Sequence, residues 1–184
     1  IRLGLVGSEM CIRDSATTVV TNAILEEKGA RIALIATRGF RDILELRRSS
    51  RSDLYDLFQD PPATLVPRHR RFEITERIDA QGDVVTPLAD TEIDDLVEEI
   101  KSLDVDAVAV SLLFSFLNDT HEKALGERLR TALPDVSIFL SSEVLPEIRE
   151  FERTSTTAVC AYVGPILDSY LSRLEEAVGS LGLP

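Results

Sequence analysis

The sequence predicts an α/β fold: a mixed sheet of at least four strands, helices on its faces, and one long C-terminal helix. Three observations predict it. From Asp90 to Leu140, two amphipathic helices alternate with two apolar strands over short links, the order of a parallel crossover unit. Upstream, the apolar run within Arg31–Thr37 stands between Gly29 and Gly39, as a buried strand does. A helical period then holds from about Glu152 to Val178, and Pro165 inside it predicts a kink because proline removes a ladder bond.

In chain order, Ile1 to Ser15 has no clean period and gives no turn signal into Thr17. Its Gly4-x-x-Gly7-Ser8 lacks the further Gly and the Lys of a phosphate loop. It resembles translated sequencing-adapter read-through, so residues 1–15 are expected to be a non-native leader before a domain over 16–184. Thr17 to Lys28 reads as a helix capped by Thr17 or Thr18 and stopped by Gly29. After the strand, Phe40 to Leu46 returns as a helix. Arg47 to Pro67 is loop-rich, with a basic cluster (Arg47, Arg48, Arg51) and the breaker Pro61-Pro62. Arg68 to Asp79 alternates around Phe72, Ile74 and Ile78 as an edge strand, and Ala80 to Asp83 turns it into the hairpin strand Val84–Thr86.

Asp90 to Leu103 puts Ile93, Leu96, Val97, Ile100 and Leu103 on one helix face. Asp106 to Phe114 is the most apolar strand. Asn118 or Asp119 caps the next helix, with Glu122 placed for a capping box. Pro134 stops that helix, and Val136 to Leu140 is the next strand.

Composition excludes several functions. The 184 residues are enough for one domain with a real core, and 44% hydrophobic with 28% charged residues is ordinary for a soluble globular chain. A net charge of −12 opposes general nucleic-acid binding and anionic-membrane binding. Cys11 and Cys160 are too far apart in sequence to suggest a disulfide framework or a metal cluster, which makes a reducing, cytoplasmic compartment the default. No apolar run reaches the roughly 18 residues of a membrane-spanning helix.

The densest chemistry follows the strand at Leu140. Polar groups just past the carboxyl end of a strand line the crevice where α/β proteins hold ligands. Glu143, Glu147, Arg149, Glu150 and Arg153 lie there, and the spacing of Glu147, Glu150 and Arg153 brings charges onto adjoining helical faces. They orient a substrate, or they form a structural ion-pair network. Thr17 and Thr18, with Asn22 one turn on, cradle a phosphate or cap a helix. Arg38 beside Gly39 clamps an anion or decorates a tight turn. His69 has no partner for a metal, and His121 reads as a solvated residue of a first helical turn.

Three ordered blocks resemble the hydantoinase/5-oxoprolinase family. They are Thr17 to Glu26, Thr37 to Glu45, and Ser141 to Thr156, the last matching Ser-Ser-Glu-Val-x-Pro-Glu-x-Arg-Glu-x-Glu-Arg-x-Ser-Thr. Arg51, Asp53 and Tyr55 match a further pattern of the family and are expected to face the substrate or tie down a loop. The resemblance implies an incomplete, actin-like (ribonuclease H-like) ATPase-type domain. It implies an ATP-dependent cyclic amide hydrolase, with Mg2+, that opens a lactam or imide ring through a phosphorylated intermediate, as in glutathione metabolism. It implies a downstream hydantoinase domain or second subunit, and an oligomer. Glu147, Arg149, Glu150 and Arg153 are the expected catalytic residues. Thr17, Thr18, Asn22, Arg38, Gly39, Arg51, Tyr55 and Glu143 are the expected substrate or phosphate contacts. The family's Asp-x-Gly-Gly-Thr phosphate loop does not occur in the chain, and Ser15-Ala16 stand where the family has His-Gly. A subunit of an acetone or acetophenone carboxylase-like complex, or a non-catalytic subunit-contact module, are the alternatives.

Overall fold

The computed structural model describes residues 18–48, 58 and 63–180. The leader, Thr17, Arg51, Asp53 and Tyr55 lie outside the described residues. The chain divides into two units, Arg31–Tyr162, and Ile1–Ala30 with Val163–Pro184.

In the larger unit the strands are β1 (Ile32–Thr37), β2 (Arg71–Ile74), β3 (Arg77–Ile78), β4 (Val84–Thr86), β5 (Ala107–Ser111) and β6 (Ser137–Leu140). Four of them form one sheet in the order β2-β1-β5-β6, and every pairing in it is parallel. The expectation of a mixed sheet is corrected: among the described residues, antiparallel pairing is confined to β3 and β4. The turn that joins them is tight: Asp79 accepts from Gln81 N and Asp83 N, and Gly82 takes φ +88°. The expected strand over Arg68–Asp79 is accordingly divided into a 3-10 turn at Arg68–Arg70, β2 and β3.

The helix expected over Phe40–Leu46 shortens to α2 (Ile43–Leu46), because the chain first turns at Gly39 (φ +89°). All residues of β1 and β5 are buried, as strands covered on both faces must be. On one face Ala33, Ile35, Val108 and Val110 meet α3 (Asp90–Lys101) through Ile93, Val97 and Ile100, and α4 (Thr120–Ala132) through Leu125 and Leu129. Each fully buried Ile or Leu stabilises by about 1.5–3 kcal/mol. Gly126 lets α4 approach β6, because a Cβ there would lie 3.0 Å from both methyls of Leu140. α6 (Glu150–Ser180) is one 31-residue helix that Pro165 does not divide. Near its start, Thr154 meets Ser111 of β5, hydroxyl to hydroxyl at 2.7 Å.

β5 ends at Ser111, three residues before the expected Phe114. Side chains from elsewhere take its next amides. Leu112 N donates to Glu122 Oε1 at 2.8 Å, and Leu113 N to Thr37 Oγ1 at 2.9 Å. Phe114 then turns the chain at φ +56°. Glu122 is therefore no capping-box residue. Fully buried, it also accepts from Ser141 Oγ at 2.6 Å and from Ser142 N at 2.8 Å, at the start of the short helix α5 (Ser141–Val144). Asn118 serves the helix start instead, accepting from Thr120 N at 3.1 Å. His121 is buried, not solvated: its Nδ1 lies 2.7 Å from Glu76 Oε2, whose other oxygen accepts from Thr37 Oγ1.

In the smaller unit, helix α1 runs over residues 18–25. Its left-handed stop is Glu27 (φ +54°), not Gly29, because Lys28 N reaches back to Ala23 O at 3.0 Å and closes the helix early. In the same unit α6 keeps Ile166, Leu167, Tyr170, Leu171, Leu174 and Val178 half-buried, the apolar stripe read from the sequence. Among the described residues no helix is long and apolar enough to cross a membrane.

Two ties generate predictions. Asp106 Oδ2 accepts Arg31 N (2.8 Å) and Nε (3.0 Å), and Oδ1 accepts Nη2 (2.7 Å), joining the entries of β1 and β5. These bonds from Arg31 hold the Asp106 carboxyl below its usual range. The contribution is full above the unfolded value of about 3.9 and is lost as pH falls through the lower folded value. Asp106→Asn should lower Tm at neutral pH, and the gap to the parent should narrow as pH falls below about 4; a gap that does not change with pH would contradict this. Glu122→Gln turns an NH2 toward donors, so chemical denaturation should show a loss of about 2 kcal/mol. A loss below about 0.5 kcal/mol would mean that the carboxylate does not hold these elements.

Candidate functional site

The strand order locates a crevice. From β1 the chain departs to β2 on one side and returns to β5 on the other, so β1 and β5 flank a switch point, outside whose carboxyl ends ligands bind in open α/β sheets. A cleft of about 580 Å3 lies there, within the range of small-molecule sites. Its walls are mainly apolar: Phe40, Ile43, Leu46, Leu113, Phe114 and Phe151. Asp42, Arg47, Arg77 and Glu150 add the charge.

Arg77 is held by rings. Its guanidinium carbon lies 5.8 Å from the centroid of Phe40 and 5.9 Å from that of Phe114, both cation–π distances. The β3–β4 pairing slips beside it: Arg77 faces Thr86 while Ile78 faces Val84, which leaves Val85 as a bulge. Among the described residues no carboxylate lies within ion-pairing distance of Arg77. The other acids nearby are occupied. Asp42 accepts from Arg68 at 3.2 Å and Arg71 at 3.1 Å, and Arg68 in particular holds its carboxyl below the usual range. Glu73 accepts Gly39 N at 2.6 Å, and Glu92 accepts Arg38 Nη2 at 2.8 Å.

The residues expected to act are placed as follows. Gly39 and Glu150 line the cleft. Arg153 is 1% exposed, and it bridges neither the Glu147 nor the Glu150 carboxylate. Its Nη1 donates to the Glu147 carbonyl at 2.7 Å and its Nη2 to the Leu112 carbonyl at 3.0 Å, with Phe116 5.4 Å away. Nε is buried without a partner. Burial pushes this guanidinium below the usual arginine range, while Glu150 and Glu122 oppose the shift. Arg153 thus ties the turn before α6 to the end of β5. Glu147 and Arg149 are exposed on that turn, and Glu143 pairs with Arg130 at 3.2 Å. Thr18 and Asn22 are exposed residues of α1, in the smaller unit. His69 lines a separate basic depression with Arg38, Arg41 and Arg68. Among the described residues no group of three or more His, Cys, Asp or Glu is placed to hold a metal ion.

Sequence reasoning passed over Glu76 and Arg77, which it left unnamed among the charges between the apolar residues of an edge strand. The signal was their parity. Glu76 falls in the same alternating register as Phe72, Ile74 and Ile78, an acid on the apolar face, and it is 3% exposed. An inward-pointing acid requires buried partners, which Thr37 and His121 supply.

The chain is 40% identical to an uncharacterized protein of Methanocaldococcus jannaschii over 91% of its own length. It is 38% identical over 95% of its length to caprolactamase subunit alpha of Pseudomonas jessenii. The crystal structure of that ATP-dependent caprolactamase superposes with a TM-score of 0.83, covering 90% of this chain and 24% of that one. The nucleotide-free structure of acetone carboxylase superposes with a TM-score of 0.79 at 25% identity, over 90% of this chain and 25% of that one. The chain spans about a quarter (25%) of the length of each of these two curated relatives. Residues 12–133 match the hydantoinase/oxoprolinase N-terminal region. With that match over most of its length, the chain belongs to the hydantoinase/oxoprolinase N-terminal region family.

Proposed function

We propose that this chain is part of an enzyme that couples ATP to the opening of a cyclic amide: a lactam, a hydantoin or 5-oxoproline. The observation that carries the reading is the likeness to caprolactamase subunit alpha, 38% identical over 95% of the chain. The chain's contribution is the rim at the carboxyl ends of β1 and β5. There Glu150 faces the cleft, and Arg153 is a positioning residue that fixes the turn bearing Glu147 and Arg149.

The turn after β1 does not fit a phosphate group. Gly39 N is taken by Glu73 and the Arg38 guanidinium by Glu92. The phosphates of ATP and a Mg2+ ion would then be held by other parts of the longer protein, with Thr17, Thr18 and Asn22 as the contacts this chain would add. A second reading, a subunit of an ATP-dependent carboxylase, is favoured by the TM-score of 0.79 to acetone carboxylase.

The full-length protein, with any partner subunit, decides between them. It should release ADP in step with ring opening when given caprolactam, 5-oxoproline or hydantoin. ATP turnover that ignores all three rings and instead requires bicarbonate and a ketone would establish the carboxylase reading and overturn the first.

A further inference from the structure

We infer that the cleft at the β1–β5 switch point is a binding site in its own right, for a small carboxylate on a flat apolar body, with Arg77 as the residue that recognises the carboxylate. Such a site requires neither ATP nor ring opening.

Three features converge on it. First, Arg77 is a half-buried cation without an anion among the described residues. Removing a guanidinium from water without a counter-charge is costly, and an arginine kept in this state is poised for an incoming anion. Second, Phe40 and Phe114 hold the guanidinium carbon at 5.8 and 5.9 Å, which leaves its planar fork of donors for a two-point contact. Third, the backbone is bent to make this arrangement. Phe114 sits at φ +56°, a left-handed position that a bulky residue rarely adopts, and the β3–β4 register slips between Arg77 and Ile78. Phe114 and Arg77 themselves both line the cleft.

The lining selects the class of ligand. Phe40, Leu113, Phe114 and Phe151 offer apolar faces to a flat ring or short chain. A phosphate would want backbone amides as well, and the amide at the nearest glycine, Gly39 N, already donates to Glu73. A carboxylate needs only the fork. The two acids of the lining do not cancel Arg77: Asp42 is bound to Arg68 and Arg71, and Glu150 lies in the field of the buried Arg153.

The test is calorimetric titration of the 184-residue chain with benzoate, with benzamide as the uncharged isostere, and with inorganic phosphate. Benzoate should bind at least about tenfold more tightly than benzamide, and more tightly than phosphate. Arg77→Lys keeps the charge but loses the fork, and should weaken benzoate about tenfold while leaving benzamide unchanged. Phe40→Leu, at a part-exposed position, should weaken both ligands, and thermal melts of both variants check that the fold is kept. Equal affinity for benzoate and benzamide, tighter binding of phosphate, or indifference to both substitutions in folded protein would each overturn the assignment.

Discussion

The structure depends on one buried carboxylate. Glu122 is fully buried, which is tolerable only because three donors from two other segments converge on it: Leu112 N, Ser141 Oγ and Ser142 N. Through these bonds α4 fixes the carboxyl ends of β5 and β6 together. Glu76 does the corresponding work for β1, tying Thr37 to His121, while Thr37 Oγ1 accepts the next amide of β5. The carboxyl-end rim is thus stitched by side chains where the ladder stops.

That rim gives the cleft its form. Because Glu122 and Thr37 capture the amides of Leu112 and Leu113, the chain leaves the sheet at Ser111 and turns sharply at Phe114. The turn presents Phe114 toward Arg77, and Arg153 donates to the Leu112 carbonyl.

Much of the fold was legible. Apolar runs marked β1, β5 and β6, and the periods of α3 and α4 were clear, because burial on both faces or on one stripe leaves a direct imprint on composition. The candidate site was less so. Glu122 at the third position of a helix looks the same in sequence whether it caps its own backbone or turns inward to another strand. His121 beside it looks solvated until Glu76 arrives from 45 residues away. Arg153 was singled out for its charged neighbours, yet its partners are two backbone carbonyls that no sequence pattern records. Arg77 was hidden because its partners are rings, brought together only by the fold.

The most direct test of this account is native-state hydrogen exchange at the amides of Leu112, Leu113 and Ser142. None of the three belongs to a strand ladder, and ordinary turn amides exchange through small local openings. If side-chain capture fixes the rim, all three should exchange as slowly as Val108 and Val110 in the centre of β5, with protection approaching that of global unfolding. Exchange at the rates of exposed loops, with β5 still protected, would show the rim to be open and the account of its construction to be wrong.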